Sequence, residues 1–165
     1  MNQDVVMPLE PMQDALDCGS AHLSTLIAET ESAIESLIKE AYNIASEHHT
    51  LFTSLSGQNG NDIGKMMPSV RHKEGNSGQT LEIRWVKSVK GPQGRIRQTV
   101  NKGKAHSYTI TKLTKNSPDW ERELIEKTEN QFAAVRELYS LLIKTRKNNT
   151  VISNVIEKHN KAFSG

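Results

Sequence analysis

The stretch Leu81-Glu-Ile-Arg-Trp-Val-Lys-Ser-Val-Lys90-Gly-Pro-Gln-Gly-Arg95-Ile-Arg-Gln-Thr-Val100 decides the fold. Leu81, Ile83 and Trp85 alternate with Glu82, Arg84 and Val86. That period of two marks a half-buried strand, because successive side chains point to opposite faces. Gly91-Pro-Gln-Gly94 supplies a turn, and the alternation resumes through Ile96 and Val100. The pattern predicts a β-hairpin with a four-residue loop, Leu81, Ile83, Trp85 and Ile96 facing a core and Arg84, Arg95 and Arg97 facing water. Beyond Gly103, the run His106 to Leu113 alternates again through Tyr108 or Ile110. It is a candidate third strand, which a marginal isolated hairpin needs.

Outside this segment the period changes. Ser20 offers an N-cap, and no Pro or Gly follows until Gly57. Leu23, Ile27, Ile34, Leu37, Ala41, Ile44, Leu51 and Leu55 recur at spacings near three and four. They predict an amphipathic helix of about 35 residues that needs a partner helix, from this chain or from a second copy. On the other side, Ser117-Pro118-Asp119 opens a helix with a capping Ser, Pro in the first turn and an early acid. Trp120, Leu124, Phe132, Val135, Leu138, Tyr139, Leu142 and Ile143 carry that helix to about Lys147. Asn148-Asn149-Thr150 then either breaks it or is spanned by it, and Val151, Val155, Ile156 and Phe163 follow at helical spacing. Residues 56–79 hold five of the ten glycines and read as linker.

The fold expected is α+β: two long antiparallel helices, bundle-like, with an inserted basic β-hairpin or small antiparallel sheet. Its parts are an irregular acidic arm (1–19), a long helix (20–56), a flexible linker (57–79), a basic hairpin module (80–116) and a C-terminal helical segment (117–165). Together they are expected to make a single folded domain.

Charge is strongly segregated. Residues 1–64 carry one cation and ten acids, residues 65–116 twelve cations and two acids, and residues 117–165 eight cations and seven acids. The overall +2 thus resolves into −9, +10 and +1 along the chain. Arg84, Lys87, Lys90, Arg95, Arg97, Lys102, Lys104 and Lys112 crowd the middle block, with His106 and Tyr108 as further donors. Like charges on one ladder face repel, and a polyanion would relieve that repulsion. A two-stranded ribbon also fits the major groove of double-stranded DNA. Lys102-Gly-Lys104 is expected to bring backbone amides close to a phosphate. The competing reading is a helical adaptor or oligomerisation protein whose basic segment pairs with its own acidic helix or an acidic partner.

Several classes find no support. The apolar runs are too short to span a membrane, and Met1–Ser20 lacks the basic-then-apolar order of a secretory signal. The single cysteine, Cys18, reads as a free thiol in the N-terminal arm, and a cytoplasmic location is expected. The six histidines show no metal-ligand spacing, so neither metal nor cofactor is expected. Gly60-Asn-Asp-Ile-Gly64-Lys65-Met66 lacks both the leading glycine and the hydroxyl of a phosphate loop. Tyr42, Tyr108 and Tyr139 lack the metal-holding histidine cluster of a nicking enzyme, and the helix carboxylates read as a solvated face. The chain reads as a non-enzyme.

Ile83-Arg-Trp85, Gly91-Pro-Gln-Gly94, Lys102-Gly-Lys-Ala-His-Ser-Tyr108, Asp119-Trp-Glu121 and Phe132-Ala-Ala-Val-Arg136 together give the chain a further character. Over residues 81–140 it resembles the MobI-type auxiliary mobilisation proteins of conjugative plasmids and integrative conjugative elements. The resemblance implies a non-catalytic DNA-binding protein that recognises an origin of transfer and helps a relaxase begin conjugation. It assigns no catalytic residue, favours DNA as the polyanion, and implies packing roles for Trp85 and Trp120. Double-stranded DNA and a relaxase or other transfer protein are the expected partners, with a homodimer through the long helices left open.

Overall fold

The computed structural model describes residues 10–59, 64–75 and 78–163. In chain order these form α1 (Glu10–Gln58), β1 (Met66–Gly75), β2 (Gly78–Gly91), β3 (Gly94–Thr99), α2 (Ile110–Leu113) and α3 (Asp119–Phe163). The fold is α+β, and β1-β2-β3 form one antiparallel sheet.

The expected hairpin is β2–β3, in register from Val86↔Thr99 to Gly91↔Gly94, but its loop is the two residues Pro92 and Gln93 rather than four, because both glycines join the ladder. Gly94 sits at φ +124°, a region open to glycine at little steric cost. Trp85 is wholly buried and Ile83 nearly so, as the alternation requires. Ile96 is different: it is 53% exposed, and every residue of β3 faces solvent. The reason is register. Ile96 pairs with Val89, four residues past Trp85, where the buried cluster on β2 ends.

The third strand comes from the segment expected to be linker. Met66–Gly75 pairs with β2 from Met66↔Lys87 to Gly75↔Gly78. Its alternation is weak and Pro68 argues against a central strand, but β1 is an edge strand, where a missing N–H is tolerated. Residues 106–113 do not form a strand. The Tyr108 N–H donates to Glu129 Oε1 at 2.7 Å, and Ile110–Leu113 closes into the short helix α2, with Leu113 buried.

Both long helices exceed their expected bounds. Residues 1–9 of the predicted arm lie outside the described residues, while 10–19 belong to α1. Pro11 stands in the first turn, where its missing N–H costs no helical bond. Ser20 is therefore internal, its carbonyl accepting from the Ser24 hydroxyl at 3.0 Å, and Cys18 is an exposed thiol on a helix. α3 runs through Asn148-Asn149-Thr150 without a break. Asn149 is buried and its Nδ2 donates to Thr30 Oγ1 at 3.3 Å, so the polar triplet has a partner in the helical state.

The described chain divides into two compact units: 10–34 with 141–163, and 35–140. In the first, two helical segments run antiparallel, with Glu31 3.5 Å from Arg146 and Leu23 and Ile27 lining a hollow with Ile156 and Asn160. In the second, Trp85 packs with Ala41 and Ile44 of α1 and with Ile125, Phe132 and Val135 of α3. The Trp85 and Phe132 rings meet edge to face at 6.3 Å.

Candidate nucleic-acid interface

Side chains at directly paired positions share a face of a sheet. The register therefore places Ser88 with Arg97 and Lys90 with Arg95 on one face, opposite the face carrying Ile83 and Trp85. Arg84 has the same parity on β2, and Ser69 and Arg71 of β1 join the face through Ser69↔Arg84 and Arg71↔Glu82. Arg71, Arg84, Lys90, Arg95 and Arg97 are exposed on this outer face. Arg84 pairs with Glu82 at 3.2 Å, while among the described residues Arg71, Lys90, Arg95 and Arg97 have no acidic partner. Two acids of α1 pair elsewhere, Glu31 with Arg146 and Glu47 with Lys127, both on α3. Lys90 and Arg95 face each other across the ladder, a like-charge pair that costs some tenths of a kcal/mol.

The remaining candidates split. Lys87 pairs with Met66 and Gln98, on the core-side face, and is half-buried. Lys102 and His106 line a second hollow beside Arg84. Lys102 Nζ donates to the Ala105 carbonyl, and Lys112 Nζ to the Asn101 carbonyl at 2.7 Å, so both brace the loop after β3. Lys104 is exposed on that loop. Gly103, at φ +83°, donates its N–H to Asn101 Oδ1 at 2.9 Å. That amide is already engaged, so of the backbone amides expected to approach a phosphate at Lys102-Gly-Lys104, the one at Gly103 is taken up within the loop.

Tyr108 departs most from expectation. It is 5% exposed and belongs to the core cluster, so its ring is no surface donor, and burial raises its phenol pKa. The other two tyrosines serve the sheet. The Tyr42 hydroxyl accepts the His72 N–H at 3.1 Å, and the Tyr139 hydroxyl donates to the Gln79 carbonyl at 3.0 Å.

What holds this module to α3 is a buried polar network invisible to the hydropathy pattern. Glu129 is 1% exposed and accepts four hydrogen bonds: Trp85 Nε1–H at 2.7 Å, the Tyr108 N–H at 2.7 Å, and a two-pronged Arg136 guanidinium at 2.9 and 3.1 Å. Arg136 also donates to the His106 carbonyl at 2.7 Å and lies over the Tyr108 ring at 5.1 Å. Farther up α3, the fully buried Glu121 accepts the Lys65 and Met66 N–H groups at 2.5 and 2.7 Å. These carboxylates correct the expectation of a solvated acidic face. The available signal was their spacing. Glu121, Ile125, Glu129, Phe132 and Arg136 recur every three or four residues, which sets two acids and a cation on the buried stripe.

Next to Trp85, His48 is 1% exposed, with Nδ1 2.9 Å from Thr128 Oγ1. Burial lowers its pKa to about 4, with the neighbouring His49 acting in the same direction.

Facing the outer side of the sheet is a groove of about 780 Å³. Half-buried Phe52, Met67 and Val86 line it together with Arg71, Arg95 and Arg97. Among the described residues no group of three or more His, Cys, Asp or Glu is arranged to hold a metal ion, and no helix is long and apolar enough to cross a membrane.

A family model described as MobI protein matches residues 37–149, roughly two thirds of the chain. No curated protein and no solved structure matches it.

Proposed function

The chain belongs to the MobI protein family of mobilisation accessory proteins, and from that premise we propose that it binds double-stranded DNA through the outer face of its sheet. In this reading it recognises an origin of transfer and assists a relaxase without performing chemistry itself. The observation that carries it is the separation of charges. Among the described residues no acid of α1 pairs with a cation of the sheet, Glu31 and Glu47 pairing with α3 instead, while Arg71, Lys90, Arg95 and Arg97 stand together without an acidic partner. That favours a polyanion over internal pairing of the basic segment with α1. Arg84, Lys102, Lys104 and His106 extend the same contact surface; Lys87 and Tyr108 do not belong to it.

The test is duplex binding across a salt series, with a transfer-origin fragment beside unrelated DNA. Contact by several Lys and Arg side chains makes affinity fall steeply as salt rises. Arg95→Ala with Arg97→Ala is expected to weaken binding about ten-fold or more. No binding at low salt overturns DNA contact, and equal affinity for every duplex overturns origin recognition.

Two copies are proposed to assemble through the helical unit. Leu141, Val151, Ile152 and Val155 of α3 are about half exposed or more. The 141–163 segment carries five cations and one acid, and the 10–34 segment of α1 five acids and no cation. A second copy supplies both the apolar cover and the opposite charge. Light scattering is expected to give twice the 18.4 kDa chain mass, reverting to one chain in Val151→Glu with Val155→Glu. A single-chain mass for the unaltered protein overturns this.

A further inference from the structure

The groove on the outer face has a composition that a paired duplex does not use. Phe52, Met67 and Val86 give it an apolar lining, and Arg71, Arg95 and Arg97 give it cations without acidic partners among the described residues. Ser69, Ser88 and Thr99 add hydroxyls. In a duplex the base faces are stacked on one another, so only phosphates and groove edges are offered to the protein. An unpaired nucleotide offers an apolar base face and an anionic phosphate together, which is the combination this groove complements. Its volume, about 780 Å³, lies within the range of sites that enclose small ligands.

The geometry points to single-stranded DNA as the ligand of this groove: unpaired bases seat against Phe52, Met67 and Val86 while their phosphates meet Arg71, Arg95 and Arg97. The inference rests on the DNA-binding reading above and deepens it. The protein then engages a locally opened duplex, with the rest of the basic sheet on the flanking paired DNA. A transfer origin must expose one strand before it is cut, so a groove for unpaired bases favours the opened form by mass action.

The experiment uses the full chain and three probes of one sequence: a paired duplex, the same duplex with a central unpaired bubble, and a single strand. 2-Aminopurine placed in the unpaired segment reports base stacking. The bubble is expected to bind about ten-fold more tightly than the paired duplex, with a change in 2-aminopurine fluorescence. Thr53 and Ser56 line the groove from α1, so Thr53→Met with Ser56→Met fills it without altering charge or the outer face of the sheet. The double variant is expected to remove the bubble preference and the fluorescence change while leaving paired-duplex affinity within about two-fold. Thr53→Met alone, on the exposed face of α1, gives the same direction of change should the double variant fold poorly. Duplex binding with no preference for the bubble overturns the single-strand inference and leaves duplex binding standing. A preference that persists in the filled groove also overturns it. Binding to unpaired DNA alone supports the inference and overturns the duplex reading, and binding to none of the probes overturns both.

Discussion

Glu129→Ala is expected to destabilise the protein by roughly 3–5 kcal/mol, more than any surface substitution. The magnitude follows from what the carboxylate leaves behind. Arg136, with a side chain 10% exposed, keeps its charge but loses its bidentate partner at 2.9 and 3.1 Å. Trp85 Nε1–H and the Tyr108 N–H lose their acceptor in the same step. An uncompensated buried cation dominates, and the two orphaned donors add to it. The measurement is urea unfolding followed by far-ultraviolet circular dichroism. Glu129→Gln keeps the shape and one acceptor and should lose less. Adding Arg136→Met to Glu129→Ala removes the stranded charge and should recover part of the loss, so the two changes are not additive. A loss below about 1 kcal/mol for Glu129→Ala would show that the network contributes no more than an ordinary hydrogen bond.

Acid should weaken the fold through His48. Its pKa, about 4 against the usual 6.5, means that the folded state holds the ring neutral while the unfolded chain protonates it readily. The unfolded state therefore binds more protons as pH falls. The stabilisation is complete above about 6.5 and is lost progressively down to about 4. A difference of that size corresponds to roughly 3 kcal/mol over the window. The physical cause is desolvation first. The ring is enclosed beside Trp85, 5.2 Å between centroids, and Phe52, at 6.2 Å, with Thr128 as its hydrogen-bond partner. Chemical unfolding at several pH values between 7 and 4 reads the slope. His48→Gln removes the titrating ring and should flatten that part of the curve, leaving the acid sensitivity of the carboxylates. Identical slopes in both proteins would rule out His48 as the source.

How much was legible depended on whether a residue's role was set locally. The β2–β3 hairpin followed from Leu81-Ile83-Trp85 alternation and the glycines at 91 and 94, because a tight turn and a two-residue period are properties of adjacent residues. The start of α3 at Ser117-Pro118-Asp119 and the long apolar period of α1 were legible for the same reason. Arg95 and Arg97 share an outer face with Arg84, as parity requires. Arg71 was missed because its strand exists only by pairing with β2; nothing within Met66–Gly75 marks it as a strand as strongly as its partner does.

The sequence by itself determined the segregation of charge, the two helices, the hairpin and the resemblance to a mobilisation family, since periodicity and composition are written along the chain. The spacing along α3 puts Glu121, Glu129 and Arg136 on the apolar stripe, but only the tertiary structure decided which partners satisfy them there. Glu121 and Glu129 lack those partners until strands begin beside one and an indole and a guanidinium close on the other. Tyr108 passes from presumed contact to core for the same reason. Burial of a charge is favourable only when distant partners arrive together, and those partners are up to 56 residues away in the chain. No local pattern encodes that meeting.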